Sequence, residues 1–374
     1  MMIAAGGTGG HVYPAIAVAE ALSARRLDIR NEVHLTFVGS VGGFERPLLD
    51  EAHLKFDHYA QVYAGPLHGV GVLRAAISVV KLIIGTLQAL LLILRERPQA
   101  LLLTGGWVGW PVALAAWLLR VPSLIFLPDI EPGLAIKALR PFVTKVAATT
   151  EASAPFFRAG QTVATGYPLR ASMTHATREA GIAHFKLDPA KQTLLVTGGS
   201  RGARSINNAV IEIVPQLLAD GVQIIHITGT LDWEEIAAKR AAMSAAQSAN
   251  CDDYHAVPYL HEDMALALAS ADMVVCRSGA SVLGEQPLFG LPSILVPYPY
   301  AWRYQKVNAD YLVERGAALL LRDEDMASQL LPTLRLLFAD PARLAAMRDS
   351  AAALAKPDGA WNVARELLSL AGDT

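Results

Sequence analysis

The residues best suited to chemistry stand at the very start of the chain. Gly6-Gly7-Thr8-Gly9-Gly10-His11 follows a short apolar run and precedes a stretch patterned as an amphipathic helix from about Pro14 to Leu22. Strand, glycine-rich turn and helix in that order can cradle an anion. Glycine adopts φ > 0 and lets a ligand approach the main chain, and the free N–H groups of a starting helix suit a phosphate. His11 closes the turn, where its imidazole can reach a bound substrate. Pro14 falls near the first helical turn, where its missing N–H costs little. The same run is equally the tight turn of any doubly wound domain, so its meaning depends on a partner elsewhere.

Partners of the same kind exist. Gly105-Gly106-Trp107-Val108-Gly109 follows the apolar run 100–104, Gly198-Gly199-Ser200-Arg201-Gly202 follows 192–197, and Arg277-Ser278-Gly279-Ala280-Ser281 follows 273–276. The elements that must position these turns come from periodicity. Strands are expected at 33–39, 55–63, 100–104, 123–127 and 145–149, then at 192–197, 223–227, 254–258, 273–276 and 293–297, with helices between them. The segment 340–371 reads as helical with a break at Pro357-Asp358-Gly359. Strand alternating with helix means a parallel sheet covered on both faces, with ligands at the carboxyl ends of the strands. The fold class expected is α/β, with two facing Rossmann-like doubly wound domains and a cleft between them. The domains are placed at 1–165 and 166–345, followed by a C-terminal helical segment, 346–374, packing back on the first.

At 374 residues two domains are the natural reading. The formal net charge of -2 offers no basic excess and so no nucleic-acid partner. The 10 histidines show no metal-ligand spacing, so neither metal nor cofactor is expected. The two cysteines, Cys251 and Cys276, form no motif and read as reduced thiols of a cytoplasmic protein. An NAD site is disfavoured, because no ribose-binding acid stands about 20 residues beyond the first glycine turn at a strand end.

Apolar residues make up 53% of the chain and the mean hydropathy is +0.33, which is high for a soluble enzyme. No signal-peptide pattern opens the sequence. The most apolar window, 70–94, contains Arg74 and Lys81, and its uncharged part is short of the roughly 20 residues a spanning helix needs. Three readings stand: a transmembrane helix, a buried core helix, or a helix with one face on a membrane and Arg74, Lys81, Arg95 and Arg97 at anionic headgroups.

Taken in order, these motifs resemble the MurG family, the peptidoglycan N-acetylglucosaminyltransferases that convert lipid I to lipid II. Gly6–Ala15 resembles the family's N-terminal signature. Gly105-Gly106-Trp107-Val108-Gly109-Trp110-Pro111 is similar to its Gly-Gly-Tyr-Val-Ser-Gly-Pro. Gly166-Tyr167-Pro168-Leu169-Arg170 is similar to Gly-Asn-Pro-Val-Arg, and Gly198-Gly199-Ser200-Arg201-Gly202-Ala203 to Gly-Gly-Ser-Gln-Gly-Ala. Cys276-Arg277-Ser278-Gly279-Ala280 with Glu285, and Gln305 with Asn308-Ala309, resemble the donor-site elements.

The resemblance implies a glycosyltransferase of the GT-B fold, with UDP-N-acetylglucosamine (UDP-GlcNAc) on the C-terminal domain and an undecaprenyl-linked lipid acceptor on the N-terminal one. It implies inverting transfer of GlcNAc to the 4-hydroxyl of MurNAc, on the cytoplasmic side of the cell membrane, by a protein bound peripherally to an anionic surface. Glu285 would hold the ribose, Ser200 and Arg170 the diphosphate, and Gln305 the sugar hydroxyls. Ala280, Ser281, Val282, Leu283 and Gly284 would line the nucleotide pocket. Thr8, Gly9 and Gly10 would offer N–H groups to substrate phosphates. His11 is the candidate general base, since a hydroxyl nucleophile benefits from a group that titrates near neutral pH.

The chain departs from the pattern around the acceptor. Phe126-Leu127-Pro128-Asp129 stands where the family has His-Glu-Gln-Asn, which puts Asp129 at a substrate-contacting Asn position. Trp107, Tyr167, Trp302 and Tyr304 also replace the usual residues. Three alternatives therefore stay open: a glycosyltransferase with another lipid acceptor such as diacylglycerol, a UDP-GlcNAc 2-epimerase-like isomerase, and a nucleotide-sugar-binding module without catalysis.

Overall fold

The structure is a computed structural model that describes all residues except 25–32, 68, 200–201, 246–250, 261–262 and 373–374. The chain divides into two compact units, Met1–Ala171 with Lys356–Thr374, and Ser172–Ala355. Gly166, Tyr167 and Arg170 thus pack with the first unit.

The first unit runs β1 (Met2–Ala5), α1 (Gly9–Ala24), β2 (Thr36–Ser40), α2 (Glu45–Glu51), β3 (His58–Val62), α3 (Val72–Glu96), β4 (Leu101–Gly105), α4 (Gly109–Leu118), β5 (Ser123–Leu127), α5 (Leu134–Leu139), β6 (Lys145–Ala148) and β7 (Thr162–Ala164). Its seven strands are parallel in the order β3-β2-β1-β4-β5-β6-β7. The order reverses between β1 and β4, the switch point at which open α/β sheets bind ligands. Both glycine turns of the first unit leave the sheet there. Pairing of the two strands slips between Ala4 and Ala5, so that Ala4 faces Leu103 and Ala5 faces Gly105. Thr104 is the extra residue of this bulge, which turns it out of the ladder.

Two expectations for the first helix are corrected. It starts at Gly9, so Pro14 is an interior residue rather than a first-turn one. Nor is it amphipathic: Val12, Pro14, Ala15, Ile16, Ala17, Val18, Ala19 and Leu22 are all buried. The sheet covers one side, and the C-terminal helix (Gly359–Ala371) returns to cover the other. That return needs close backbone approach. A methyl group on Gly359 would meet the Tyr167 carbonyl at 2.4 Å, and one on Gly166, whose φ is +89°, would meet Cβ of Lys356 at 2.6 Å.

α3 buries only Ser78, Gly85, Ala89 and Ile93, a single stripe against α4 and β3. Val72 is 89% exposed, Leu73 77% and Leu91 69%, and Ile77, Val80, Ile83 and Leu87 join them on the outer face. The buried-core reading of this segment is therefore excluded. By length and composition alone α3 is long enough to cross a membrane.

The second unit is entered through α6 (Ala171–Thr174) and α7 (Arg178–Phe185). It continues β8 (Thr193–Thr197), α8 (Arg204–Ala219), β9 (Gln223–Ile227), α9 (Trp233–Ala245), β10 (Tyr254–Val257), α10 (Met264–Ser270), β11 (Met273–Cys276), α11 (Val282–Leu288), β12 (Ser293–Leu295), α12 (Trp302–Val313), β13 (Ala318–Leu320), α13 (Met326–Phe338) and α14 (Pro341–Ala352). The final helix, Gly359–Ala371, is α15. Six parallel strands lie in the order β10-β9-β8-β11-β12-β13. The switch point falls between β8 and β11, beside the turns at Gly198 and Arg277. Leu194, Val196, Val210, Ile224, Val275 and Ile294 anchor its core. The expected α/β class and doubly wound sheets are thus both present.

Candidate active site

At the first switch point the two glycine turns touch backbone to backbone. Gly7 has φ +87° and Gly106 φ +82°. A methyl group on Gly106 would lie 2.1 Å from the Gly6 carbonyl oxygen. At Gly106 the conformation and the space both forbid a side chain, and at Gly7 the positive φ favours glycine.

His11 sits in the first turn of α1, half-buried. Its Nδ1 lies 3.1 Å from the Gly6 carbonyl oxygen and 3.2 Å from Thr8 Oγ1. A carbonyl only accepts, so Nδ1 carries the proton and Nε2 keeps its lone pair. Among the described residues Nε2 has no hydrogen-bond partner. Thr104, the bulged residue of β4, donates from Oγ1 to the His11 carbonyl at 2.7 Å. Burial holds the imidazole pKa below its ordinary value, while the Gly6 hydrogen bond and the Asp129 charge oppose the shift. The result is a neutral imidazole at pH 7 with an available Nε2. Thr8 and Gly10 are exposed beside it.

Asp129 lies just beyond β5, close enough to act electrostatically on His11. Thr149 secures that strand end by donating to the carbonyls of Leu127 at 3.2 Å and Pro128 at 2.8 Å. Phe126 and Tyr167, both departures from the family pattern, meet edge to face with centroids 5.7 Å apart. Arg170 stacks over the Tyr13 ring at 4.7 Å, which places its guanidinium beside α1.

In the second unit Ala280 and Ser281 lead into α11, whose first turn carries Val282, Leu283, Gly284 and Glu285. Val282 and Leu283 are buried, so only their backbone can face a ligand. Ser281 Oγ donates to Glu285 Oε2 at 3.0 Å. Gln305, in α12, accepts from the Tyr298 backbone N–H through Oε1 at 2.8 Å, which leaves its Nε2 as a donor. Ser200 lies outside the described residues. The structure thus brings His11, Thr8 and Asp129 together in one unit, and Glu285 and Ser281 together in the other.

Several supporting residues were not legible beforehand. Asn207 Nδ2 donates to the Thr228 carbonyl at 2.7 Å and to Asp232 at 2.9 Å, and Asp232 pairs with Arg204 at 2.9 Å. His226 joins Asn207 Oδ1 at 3.0 Å and the Tyr254 hydroxyl at 2.8 Å. Together they fix the start of α8 behind the Gly198 turn. Thr104 was the most detectable of the missed residues, as a polar residue ending an apolar strand immediately before Gly105.

Comparison with known proteins decides what these residues belong to. Residues 1–148 match the glycosyltransferase family 28 N-terminal domain and residues 193–363 its C-terminal domain. A UDP-N-acetylglucosamine--N-acetylmuramyl-(pentapeptide) pyrophosphoryl-undecaprenol N-acetylglucosamine transferase of Roseiflexus sp. (strain RS-1) is 38% identical, over 96% of this chain and 92% of that protein. The protein of the same name from Desulforudis audaxviator is 38% identical, over 100% of this chain and 98% of its own. The chain belongs to the MurG family. The crystal structure of Acinetobacter baumannii MurG superposes with a TM-score of 0.74 at 25% identity, covering 98% of this chain and 99% of that one. The UDP-GlcNAc 2-epimerase of Neisseria meningitidis, at 12% identity and TM-score 0.67, covers 98% of this chain and 99% of its own and shares the fold alone. MurG-family membership agrees with the GT-B class read from the motifs; the N-terminal match lies within the first unit, and the C-terminal match covers most of the second and runs on into α15.

Proposed function

We propose that this enzyme is an inverting UDP-GlcNAc-dependent glycosyltransferase of peptidoglycan synthesis. It moves GlcNAc to the MurNAc 4-hydroxyl of undecaprenyl-pyrophosphoryl-MurNAc-pentapeptide, turning lipid I into lipid II. Identity of 38% over 96–100% of the chain with relatives of that name carries the reading, and the state of His11 supplies its chemistry. With Nδ1–H held by the Gly6 carbonyl, Nε2 takes the hydroxyl proton as the acceptor oxygen attacks C1 of the donor sugar. The bond from C1 to the phosphate oxygen breaks, and UDP leaves with the electron pair.

The remaining roles follow the same reading. The N–H groups of Thr8, Gly9 and Gly10 and the Arg170 guanidinium meet substrate phosphates, and Asp129 stabilises the imidazolium that forms on His11. Glu285 accepts from the ribose hydroxyls. The Nε2 group of Gln305 reads the sugar, and the backbone of residues 280–284 lines the nucleotide.

The outer face of α3 is the surface that meets the membrane. Its exposed aliphatic residues and flanking Arg74, Lys81 and Arg95 suit the cytoplasmic leaflet, where anionic headgroups and acyl chains meet. α3 lies on that surface instead of crossing it, because its buried stripe is already packed on α4 and β3.

An acceptor panel tests the assignment. The enzyme, given UDP-GlcNAc, is offered a lipid I analogue, diacylglycerol, or no acceptor. Lipid II from the first arm is the expected product. Glycolipid from the second arm, or UDP-ManNAc from the third, in place of lipid II would overturn it.

A further inference from the structure

Arg277 follows β11 within the donor-site motif, and none of the roles given so far uses it. Its side chain is only 12% exposed. One guanidinium nitrogen, Nη1, donates to Asp323 and to the carbonyls of Val296 at 3.2 Å and Pro297 at 3.5 Å. The other, Nη2, donates to Ser205 Oγ at 2.8 Å, and Ser205 Oγ in turn donates to Asp323 at 2.7 Å. The Tyr298 ring covers the guanidinium, with Cζ 5.3 Å from its centroid. One side chain thus ties together the first turn of α8, the exit of β12 and the turn after β13.

The contacts at the exit of β12 have a consequence for the sugar. They hold the carbonyls of Val296 and Pro297 and the ring of Tyr298. Tyr298 is also the residue whose N–H is taken by Gln305 Oε1. The amide of Gln305 is thereby fixed in one orientation, with Nε2 presented. A backbone shifted at Tyr298 would free the amide to rotate and offer either end to a hydroxyl. A site that recognises a hydroxyl through one fixed donor discriminates far better than one that can present donor or acceptor.

We infer that Arg277 is a positioning residue that sets sugar selectivity through Tyr298 and Gln305. The inference rests on the donor-site reading of Gln305 above. Arg277→Lys keeps the charge and loses the planar fork, so it cannot span Ser205, Asp323 and the Val296 carbonyl at once.

The test compares UDP-GlcNAc with its C4 epimer as donors, with UDP affinity measured by calorimetry and folding followed by thermal melting. Arg277→Lys is expected to lower the kcat/KM preference for UDP-GlcNAc about tenfold, with UDP affinity held within about twofold. Asp323→Asn weakens the clamp from its other end and should shift the preference in the same direction. In a Gln305→Ala background, Arg277→Lys should have no further effect on preference, because coupled residues are not additive. Equal losses of UDP and UDP-GlcNAc affinity, or the same loss of preference with and without Gln305, would assign Arg277 to holding the fold and overturn the inference. Parental preference in Arg277→Lys alongside an altered Gln305→Ala overturns this inference alone. Parental preference in Gln305→Ala overturns the donor reading of Gln305 and the inference with it.

Discussion

Gly105 and His11 belong to different glycine turns, yet the imidazole lies flat against the bare Cα of Gly105. A methyl group there would sit 2.3 Å from Cδ2 and 2.8 Å from Nε2 of His11. The second glycine turn is therefore the wall against which the proposed base is set. Gly105→Ala should push the ring aside and also strain a backbone at φ +126°. A misplacement of about 1 Å typically costs about 100-fold in rate. We expect kcat to fall by about that factor, with a loss of roughly 1–3 kcal/mol in stability, read by saturation kinetics and denaturant titration of the same preparation.

The protonation state of His11 gives a second prediction. Burial holds its pKa below the ordinary 6.5, so the neutral base predominates at pH 7. The acid limb of kcat/KM should therefore be centred below pH 6.5. His11→Gln should remove that limb together with most of the activity. A limb centred above pH 7 in the parent enzyme would point to a different base.

A third prediction concerns His226, whose pKa burial lowers to about 3. Asn207 Oδ1 accepts from Nε2–H, and Nδ1 accepts from the Tyr254 hydroxyl, so the folded state needs the neutral ring. Between about pH 3 and 6.5 the unfolded chain binds this proton and the folded chain does not. Stability is therefore unaffected above pH 6.5 and declines as the pH falls below it. The loss approaches the order of 5 kcal/mol near pH 3. Urea titrations at pH 7, 5 and 4 should show the decline in the parent and a shallower one in His226→Gln. Parallel declines would trace the acid sensitivity to other groups.

Glu285→Ala removes the carboxylate proposed for the ribose and strands the Ser281 hydroxyl that now donates to it. UDP-GlcNAc affinity should fall by about tenfold or more, in line with the loss of a charge-assisted hydrogen bond. Calorimetry with UDP alone should show the same loss, because the ribose is common to both ligands. Unchanged affinity removes Glu285 from the site.

Reversing Arg74 and Lys81 to Glu should weaken binding to anionic vesicles by well over tenfold. Each basic residue near such a surface contributes about 1 kcal/mol and each reversal also adds repulsion. Activity on a short-chain, water-soluble acceptor analogue should be retained. Equal partition of variant and parent would separate α3 from the membrane.

Much of this architecture was readable because strand ends and glycine turns are local signals. The turns at Gly6, Gly105 and Gly198 each combine an apolar run with residues that only a tight backbone path requires. The extent of α1 was misjudged because its nearly continuous burial depends on α15, more than 330 residues later in the chain. No local pattern announces that contact. β7 and β13, each three residues long, were missed because so short a run carries little periodicity. The clamp at Arg277 was also hidden, since its partners Ser205 and Asp323 are distant in sequence and meet only through the sheet order. His11 was legible as a residue, but its tautomer was not, since that depends on the carbonyl of Gly6 turning toward Nδ1.

The chain visits the first unit twice, and this sets an order of events during synthesis. When residue 355 has been made, every residue of the second unit exists, while the first still lacks α15. The side of α1 turned away from the sheet lacks the cover of α15 until residues 359–371 have been made. The unit that carries the proposed base thus closes only after every residue of the second unit has been made. Premature stops after residue 355 would leave the second unit whole and expose an apolar helix face to chaperones and proteases.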